Sequence, residues 1–322
     1  MKRSDSMEKN LINIKKINKD KIKKKLLGQN GDGLINYFII YFLLILIGFV
    51  FLYPIFYMVT YSIMDTEDLI NPLIKWIPTK FYIGNYSEAS KVINYIPTLL
   101  KTLYVTLIPA LLQTASASII GYGFARFKFP GKKILFMLVL ATFIIPPQVT
   151  MIPQFLMYKN LKLIGSVLSY VLPAIFGQGI KSAIFILIFY QFYSMIPKSL
   201  EEAAQIDGAG AIKIFLIIAV PMAVPAYIIS FLFSFVWYWN ETTLAALYFG
   251  DSIKTLLIQL QNFSIVYEKM HPVAQSAETG KSLNEAINMA GTLLNILPLL
   301  LVYFFTQRWF VESIDRSGIT GE

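Results

Sequence analysis

LINYFIIYFLLILIGFVFLYPIFYMVTYSIM, residues 34–64, contains no charged side chain and decides the fold class. As an α-helix it would extend about 46 Å at 1.5 Å per residue, more than the roughly 30 Å of a bilayer's hydrocarbon core. It far exceeds the apolar segment of a signal peptide, about 7–15 residues, and no small-x-small cleavage site follows it. We therefore expect a first transmembrane helix, tilted or extending past the lipid, and ended by Asp65, Glu67 and Asp68.

The rest of the chain has the same character. Of 322 residues, 56% are hydrophobic and only 15% charged, whereas a soluble domain carries about 25% charged residues. That composition excludes a soluble enzyme. Five further spans are expected near 99–124, 134–157, 179–196, 217–239 and 285–306, each apolar enough to cross the core. The stretch 163–176, between Lys162 and the Gly177-Gln178-Gly179 break, reads as an interfacial or re-entrant helix. The expected fold is all-α, a polytopic membrane helical bundle of six transmembrane helices.

Charge distribution orients the bundle. Residues 1–33 hold ten cations against four acids, a net +6, and the other 289 residues are only +3. A basic tail before an apolar span marks the cytoplasmic side, and its cations also suit anionic membrane lipid. With both termini cytoplasmic, the inside segments carry 18 cations and the outside segments eight, the tail supplying the difference. The expected organisation is a basic cytoplasmic tail, 1–33, followed by a permease domain, 34–322. No nucleic-acid-binding module accompanies the charge, so no nucleic-acid partner is expected.

Catalytic chemistry has little to work with. Cysteine is absent and His271 is the sole histidine, which argues against thiol, zinc and hydrolytic-triad chemistry. His271, beside Pro272, reads as a solvated loop residue. The stretch 277–282, AETGKS, ends like a phosphate-binding loop, but Gln275 stands where its first glycine belongs and no strand precedes it. Asn85-Tyr86-Ser87 matches a glycosylation sequon, a weak three-residue signal. Prolines 54, 109, 146, 147, 153, 221, 225 and 298 punctuate the spans, each able to kink a helix.

One inside loop, 197–221, is rich in helix signals. Ser199-Leu200-Glu201-Glu202 has the pattern of a capping box. Ala203 and Ala204 continue the helix, and Gly208 or Gly210 can supply a left-handed stop. A second short helix, 211–218, leads into the next span. We expect a helix–turn–helix on the cytoplasmic surface.

Glu202-Ala203-Ala204, Gly208 and the following Ile218-Ala219-Val220-Pro221 resemble the EAA motif of binding-protein-dependent ABC import permeases, with Val220 in place of the usual leucine. The longer run from Pro197 to Ala209 resembles the carbohydrate, maltose-transporter-type branch. Phe124-Ala125-Arg126-Phe127, Phe129-Pro130-Gly131, Ile145-Pro146-Pro147-Gln148-Val149, Trp239-Asn240-Glu241, Gln307-Arg308-Trp309-Phe310-Val311 and Gly318-Ile319-Thr320-Gly321 resemble other stations of that branch.

The resemblance implies a permease subunit of an ATP-driven oligosaccharide importer in a bacterial cell membrane. Its implied partners are a second homologous permease, a cytoplasmic ATPase dimer and an extracellular substrate-binding protein. The chain itself would be no enzyme and bind no cofactor, ATP and Mg residing on the ATPase. Glu201, Glu202, Ala203, Ala204, Asp207 and Gly208 would form the coupling helix that docks on the ATPase. The outer segment 241–284 would face the binding protein.

For the substrate path, the side chains with sugar-binding chemistry in or near kinked spans are Gln148, Tyr190, Gln191, Trp237, Trp239 and Asn240; packing and interfacial roles are their alternative. An importer of a non-sugar solute is a second reading. A stand-alone secondary transporter is a third, disfavoured because Lys101, Lys181, Glu241 and Glu285 all fall near span ends rather than mid-membrane.

Overall fold

The computed structural model describes residues 33–271 and 285–316, and every regular element among them is helical. The basic tail, the 277–282 stretch, part of the 241–284 segment and the 318–321 motif lie outside the described residues.

Helix α1, Leu34–Ser62, is the first expected span. It is apolar all round, with no face marked for burial, and its side chains stay largely exposed to the surroundings. Pro54 lies inside it without ending it. Short helices α2, Thr66–Ile70, and α3, Gly84–Val92, follow. Asn85 is buried in α3, its amide donating to the carbonyls of Ser62 and Met64 at 3.0 and 2.8 Å. It ties the end of α1 to α3 and presents no free amide for a glycan.

Helix α4, Tyr95–Arg126, is the axis of the molecule. Buried threonines and serines line it, and Thr102, Thr106 and Thr114 return their hydroxyls to the carbonyl four residues earlier. In a dry interior each polar group needs such a partner. Gly121 lets the next long element approach: a Cβ there would stand 2.6 Å from Cβ of Phe189.

The third expected span, 134–157, is not one helix. It divides into α5, Lys132–Ile144, and α6, Pro147–Asn160, bent by 100°. Pro146 pushes Ile145 into extended backbone and neither Pro146 nor Pro147 can donate to the preceding turn. Thirteen residues of α5 reach only about 20 Å, so this pair crosses the membrane only as a broken span.

The stretch 163–176 contains α7, Leu168–Ile175, with Ser169, Tyr170 and Ala174 buried. Helix α8, Ser182–Met195, is followed by α9, Lys198–Ile206, after a 70° bend. Next come α10, Ala211–Ile214, a π-helical turn at Phe215–Ala219 and α11, Val220–Met222. These bend by 76° into α12, Val224–Asn240. The expected second helix of the loop, 211–218, is thus interrupted by the π turn at Phe215–Ala219, just ahead of Pro221, which has no amide to return to that turn.

Outer helices α13, Thr243–Phe249, α14, Leu256–Gln261, and α15, Phe263–Met270, precede α16, Glu285–Arg316. Helix α16 packs along α1, where the Tyr57 hydroxyl donates to Glu285 at 2.7 Å. His271 is half-buried and stacked on Tyr267 with ring centroids 4.4 Å apart, so it is not the solvated residue expected of its loop.

Three described helices are long and apolar enough to cross a membrane, and up to six spans result if each bent pair counts as one. The fold is an all-α polytopic membrane bundle. Its core lies in two clusters along α4. One surrounds Val105 and Ala110 with α3, α7 and α12–α15. The other surrounds Ala117, Tyr122 and Phe124 with α8 and the start of α12.

Candidate functional site

The 197–221 loop projects from the end of the bundle where α4 finishes. Helix α9 begins two residues earlier than the capping-box pattern implies. Pro197 is its N-cap, no side chain caps it, and Ser199 sits within the first turn. The Pro197 carbonyl accepts instead from the Leu200 amide at 3.3 Å.

At the other end Gly208 takes φ +79°, the left-handed conformation. The Ala209 amide donates to the Ala204 carbonyl at 2.9 Å and the Gly208 amide to the Gln205 carbonyl at 3.0 Å, the paired bonds of a Schellman stop. Gly210 has φ −74° and starts the next helix, so Gly208 alone supplies the stop.

The two adjacent glutamates point to different environments. Glu202, Ala203, Asp207 and Gly208 are exposed, and Ala204 is half-buried. Glu201 is buried: its Oε1 lies 2.8 Å from Nε of Arg126, the last residue of α4. The apolar side chains Ile206, Ile212, Leu216 and Ile217 of the loop are exposed as well. The loop therefore exposes both apolar side chains and acids, the mix from which a protein contact can be built.

A second site lies in the opposite half of the bundle. A cavity of about 400 Å³ opens at the break between α5 and α6, walled by α7, the start of α8, the end of α12 and α13. Planar hydrogen-bonding groups from Gln148, Gln154, Gln178 and Glu241 line it, together with the rings of Tyr158, Tyr170, Tyr238 and Tyr248. Tyr248 donates to Oε1 of Gln154 at 3.2 Å. Burial pushes the Tyr248 phenol up to about 12, so it stays a hydroxyl at neutral pH. Gly179 closes the floor: a Cβ there would collide with Oε1 of Gln113 and stand 2.6 Å from the Tyr238 hydroxyl. Proline-broken backbone of this kind is tolerated in a membrane where it lines a cavity.

Of the six substrate-path residues expected from the sequence, Gln148 lines this cavity. Tyr190 packs against Phe136, with ring centroids 4.6 Å apart, and Gln191 is exposed. Trp237 packs against Phe185 at 5.1 Å with Nζ of Lys181 4.5 Å from its ring. Trp239 is 3% exposed within the core, and Asn240 is exposed and bonded back to the Val236 carbonyl. Sequence reasoning did not single out Gln154, Gln178, Tyr170 or Tyr248; nearness to the Pro146–Pro147 and Gly177–Gly179 breaks could have flagged the first three, and nothing local marks Tyr248. Among the described residues no group of His, Cys, Asp and Glu could hold a metal ion.

A bundle of bent spans with a polar cavity in one half and an extruded helical loop at the other end defines a membrane permease. The chain belongs to the family described as the binding-protein-dependent transport system inner membrane component, whose model matches residues 117–316. It is thus a permease subunit of an ABC importer and a multi-pass protein of the cell membrane. A polygalacturonan/rhamnogalacturonan transport permease from Bacillus subtilis is 30% identical, over 88% of this chain and 97% of that protein. An osmoprotective compounds uptake permease from Synechocystis is 28% identical over 87% and 91%, and a melibiose/raffinose/stachyose import permease from Bacillus subtilis 26% identical over 83% and 91%. A bacterial ABC transporter that imports alginate contains a chain of the same fold, with TM-score 0.68 and 22% identity over 86% of this chain and 96% of that one.

Proposed function

We propose that this subunit forms a translocation path for carbohydrate together with a second permease, and takes its driving force from a cytoplasmic ATPase through the 197–221 loop. The observation that carries the reading is the loop itself, whose first helix closes on the Gly208 stop and exposes Glu202, Ile206 and, at its end, Asp207. The ATPase supplies ATP and Mg; this chain contributes shape and motion. In the proposed cycle, closure of the ATPase dimer pushes the loop. The bent spans then turn their cavity outward to receive solute from a binding protein, and hydrolysis returns the cavity inward.

The 400 Å³ cavity suits a polyhydroxylated solute, because amides, a carboxylate and tyrosine rings face one space. Relatives named for plant-polysaccharide and raffinose-type solutes support the sugar reading. A small osmoprotective solute is the second reading, favoured by the relative from Synechocystis.

Titration calorimetry of the cognate binding protein against raffinose, galacturonate oligomers and small osmoprotective polyols separates the two: tight binding of an oligosaccharide supports the first, and binding of the polyols alone supports the second. Uptake into vesicles by this chain without any ATPase would refute the importer-subunit mechanism.

A further inference from the structure

Arg126 and Glu201 belong to two stretches far apart in sequence, yet they meet at one point. Arg126 ends α4, its Nε 2.8 Å from Oε1 of Glu201 in the first turns of α9. Its Nη2 donates to the Ile196 carbonyl, just past the end of α8, at 2.6 Å. The two side chains are only 7% and 11% exposed. One guanidinium thus holds three helix ends.

The joint that it spans is weak by itself. Ile196 and Pro197 are both extended, with ψ 127° and 130°, so no helical hydrogen bonds carry α8 into α9 across the 70° bend. Proline also offers no amide there. The placement of charge is favourable at each helix end: a cation at the carbonyl end of α8 and of α4, an anion near the amide end of α9. The extended guanidinium reaches both groups at once, as an ion partner of Glu201 and a hydrogen-bond donor to the Ile196 carbonyl, which an ammonium point charge would do less well.

The second arm of the loop is fastened to the same turns of α4. The Tyr122 ring packs against Phe215, in the π turn, with centroids 4.9 Å apart, and against Tyr193 of α8 at 5.2 Å. The last turns of α4 therefore hold the loop on both sides.

From this geometry we infer that Arg126 and Glu201 are positioning residues for coupling: their buried ion pair clamps the α8–α9 joint, so that a push on the exposed face of the loop moves α4 and α8 rather than flexing the joint. Glu202 and Glu201 then have separate tasks, the first toward the partner and the second toward α4. The inference rests on the reading of 197–221 as the loop that couples to the ATPase.

The test uses the complete importer reconstituted in nanodiscs, with its second permease, ATPase and binding protein. Since the chain has no cysteine, single cysteines at Lys128 and Gln205 accept spin labels directly. For E201Q and R126Q we expect the label-to-label distance distribution to broaden, and stimulation of ATP hydrolysis by the binding protein to fall at least about fivefold, the lower end of ordinary coupling energies. ATPase should remain bound to the complex. The exchange R126E/E201R should recover part of both readouts, which guards against simple misfolding of either single variant.

An unchanged distance distribution in E201Q and R126Q would overturn the clamp, as would wild-type stimulation in both. Loss of ATPase binding in E201Q would also overturn it, because Glu201 would then act at the partner surface. Failure of the underlying reading looks different: E202K would retain wild-type stimulation, and a cysteine at Gln205 would form no cross-link to the ATPase.

Discussion

The two halves of α4 are built to different rules. Near the loop, helices touch and side chains meet in specific pairs: Arg126 forms an ion pair with Glu201, Ser118 bonds with Tyr193 and Tyr227, and Gly121 lies against Phe189. In the other half a cavity opens among the helices packed around α4; the hydroxyls of Tyr170 and Ser182, which line it, and Oε1 of Gln113 on α4 are buried without a hydrogen-bond partner. Unpaired buried groups cost free energy, so they are kept where a structure serves something other than its own stability. A rigid grip at one end and an accommodating space at the other is what a lever acting on a solute path requires.

The sharpest way to break this contrast is to remove one charge from the gripping end. Arg126→Leu leaves Glu201 buried and unpaired, and should lower stability by about 3–5 kcal/mol, read as a fall in the thermal midpoint of the detergent-solubilised importer. The double variant R126L/E201L should recover most of that loss, because no lone charge remains.

Gly121→Val tests the helix contact. Its side chain would collide with Phe189 and the Tyr190 backbone, and overpacking of this kind costs about 1–3 kcal/mol. A midpoint equal to wild type would mean that α4 and α8 are not held at this distance. Next in size, Tyr193→Phe removes the 2.6 Å bond with Ser118 and should cost about 1 kcal/mol. Tyr170→Phe makes the matching change in the cavity half, where no bond is lost, and should stay within about 0.5 kcal/mol of wild type. If the two tyrosines responded alike, the contrast between the halves would fail.

Much of the architecture was legible in the chain because it follows from local chemistry. Residues 34–64 could be nothing but a span, since no charge interrupts them and a helix satisfies its own backbone. A glycine stop at Gly208 or Gly210 was visible for a similar reason, since an exposed helix ends where left-handed backbone is free of strain, and the structure chose Gly208. The break at Pro146 was visible as a risk of kinking, but not as a 100° turn. Proline removes a bond without dictating what packs into the gap.

The loop taught the opposite lesson. A pattern of Ser199 and Glu202 suggested a capping box, and the helix started at Lys198 instead, because Pro197 already supplied a suitable first carbonyl. Local pattern marks Glu202 but does not show that Glu201 is held inside; the guanidinium at the end of α4 does. Likewise Trp239 has the chemistry of a sugar contact and is 3% exposed in the core, whereas Gln154 and Tyr248, unremarked in the chain, line the cavity.

By itself the sequence determined that this protein is a helical membrane bundle with a capped loop of permease type, because hydrophobic length, helix stops and a dense local motif act over a few residues. Only the tertiary structure decided which of two neighbouring acids is held inside, where the third span breaks into two, and which polar side chains share a cavity. Those outcomes depend on groups tens of residues apart being brought within a few ångströms, and no local preference encodes such a meeting.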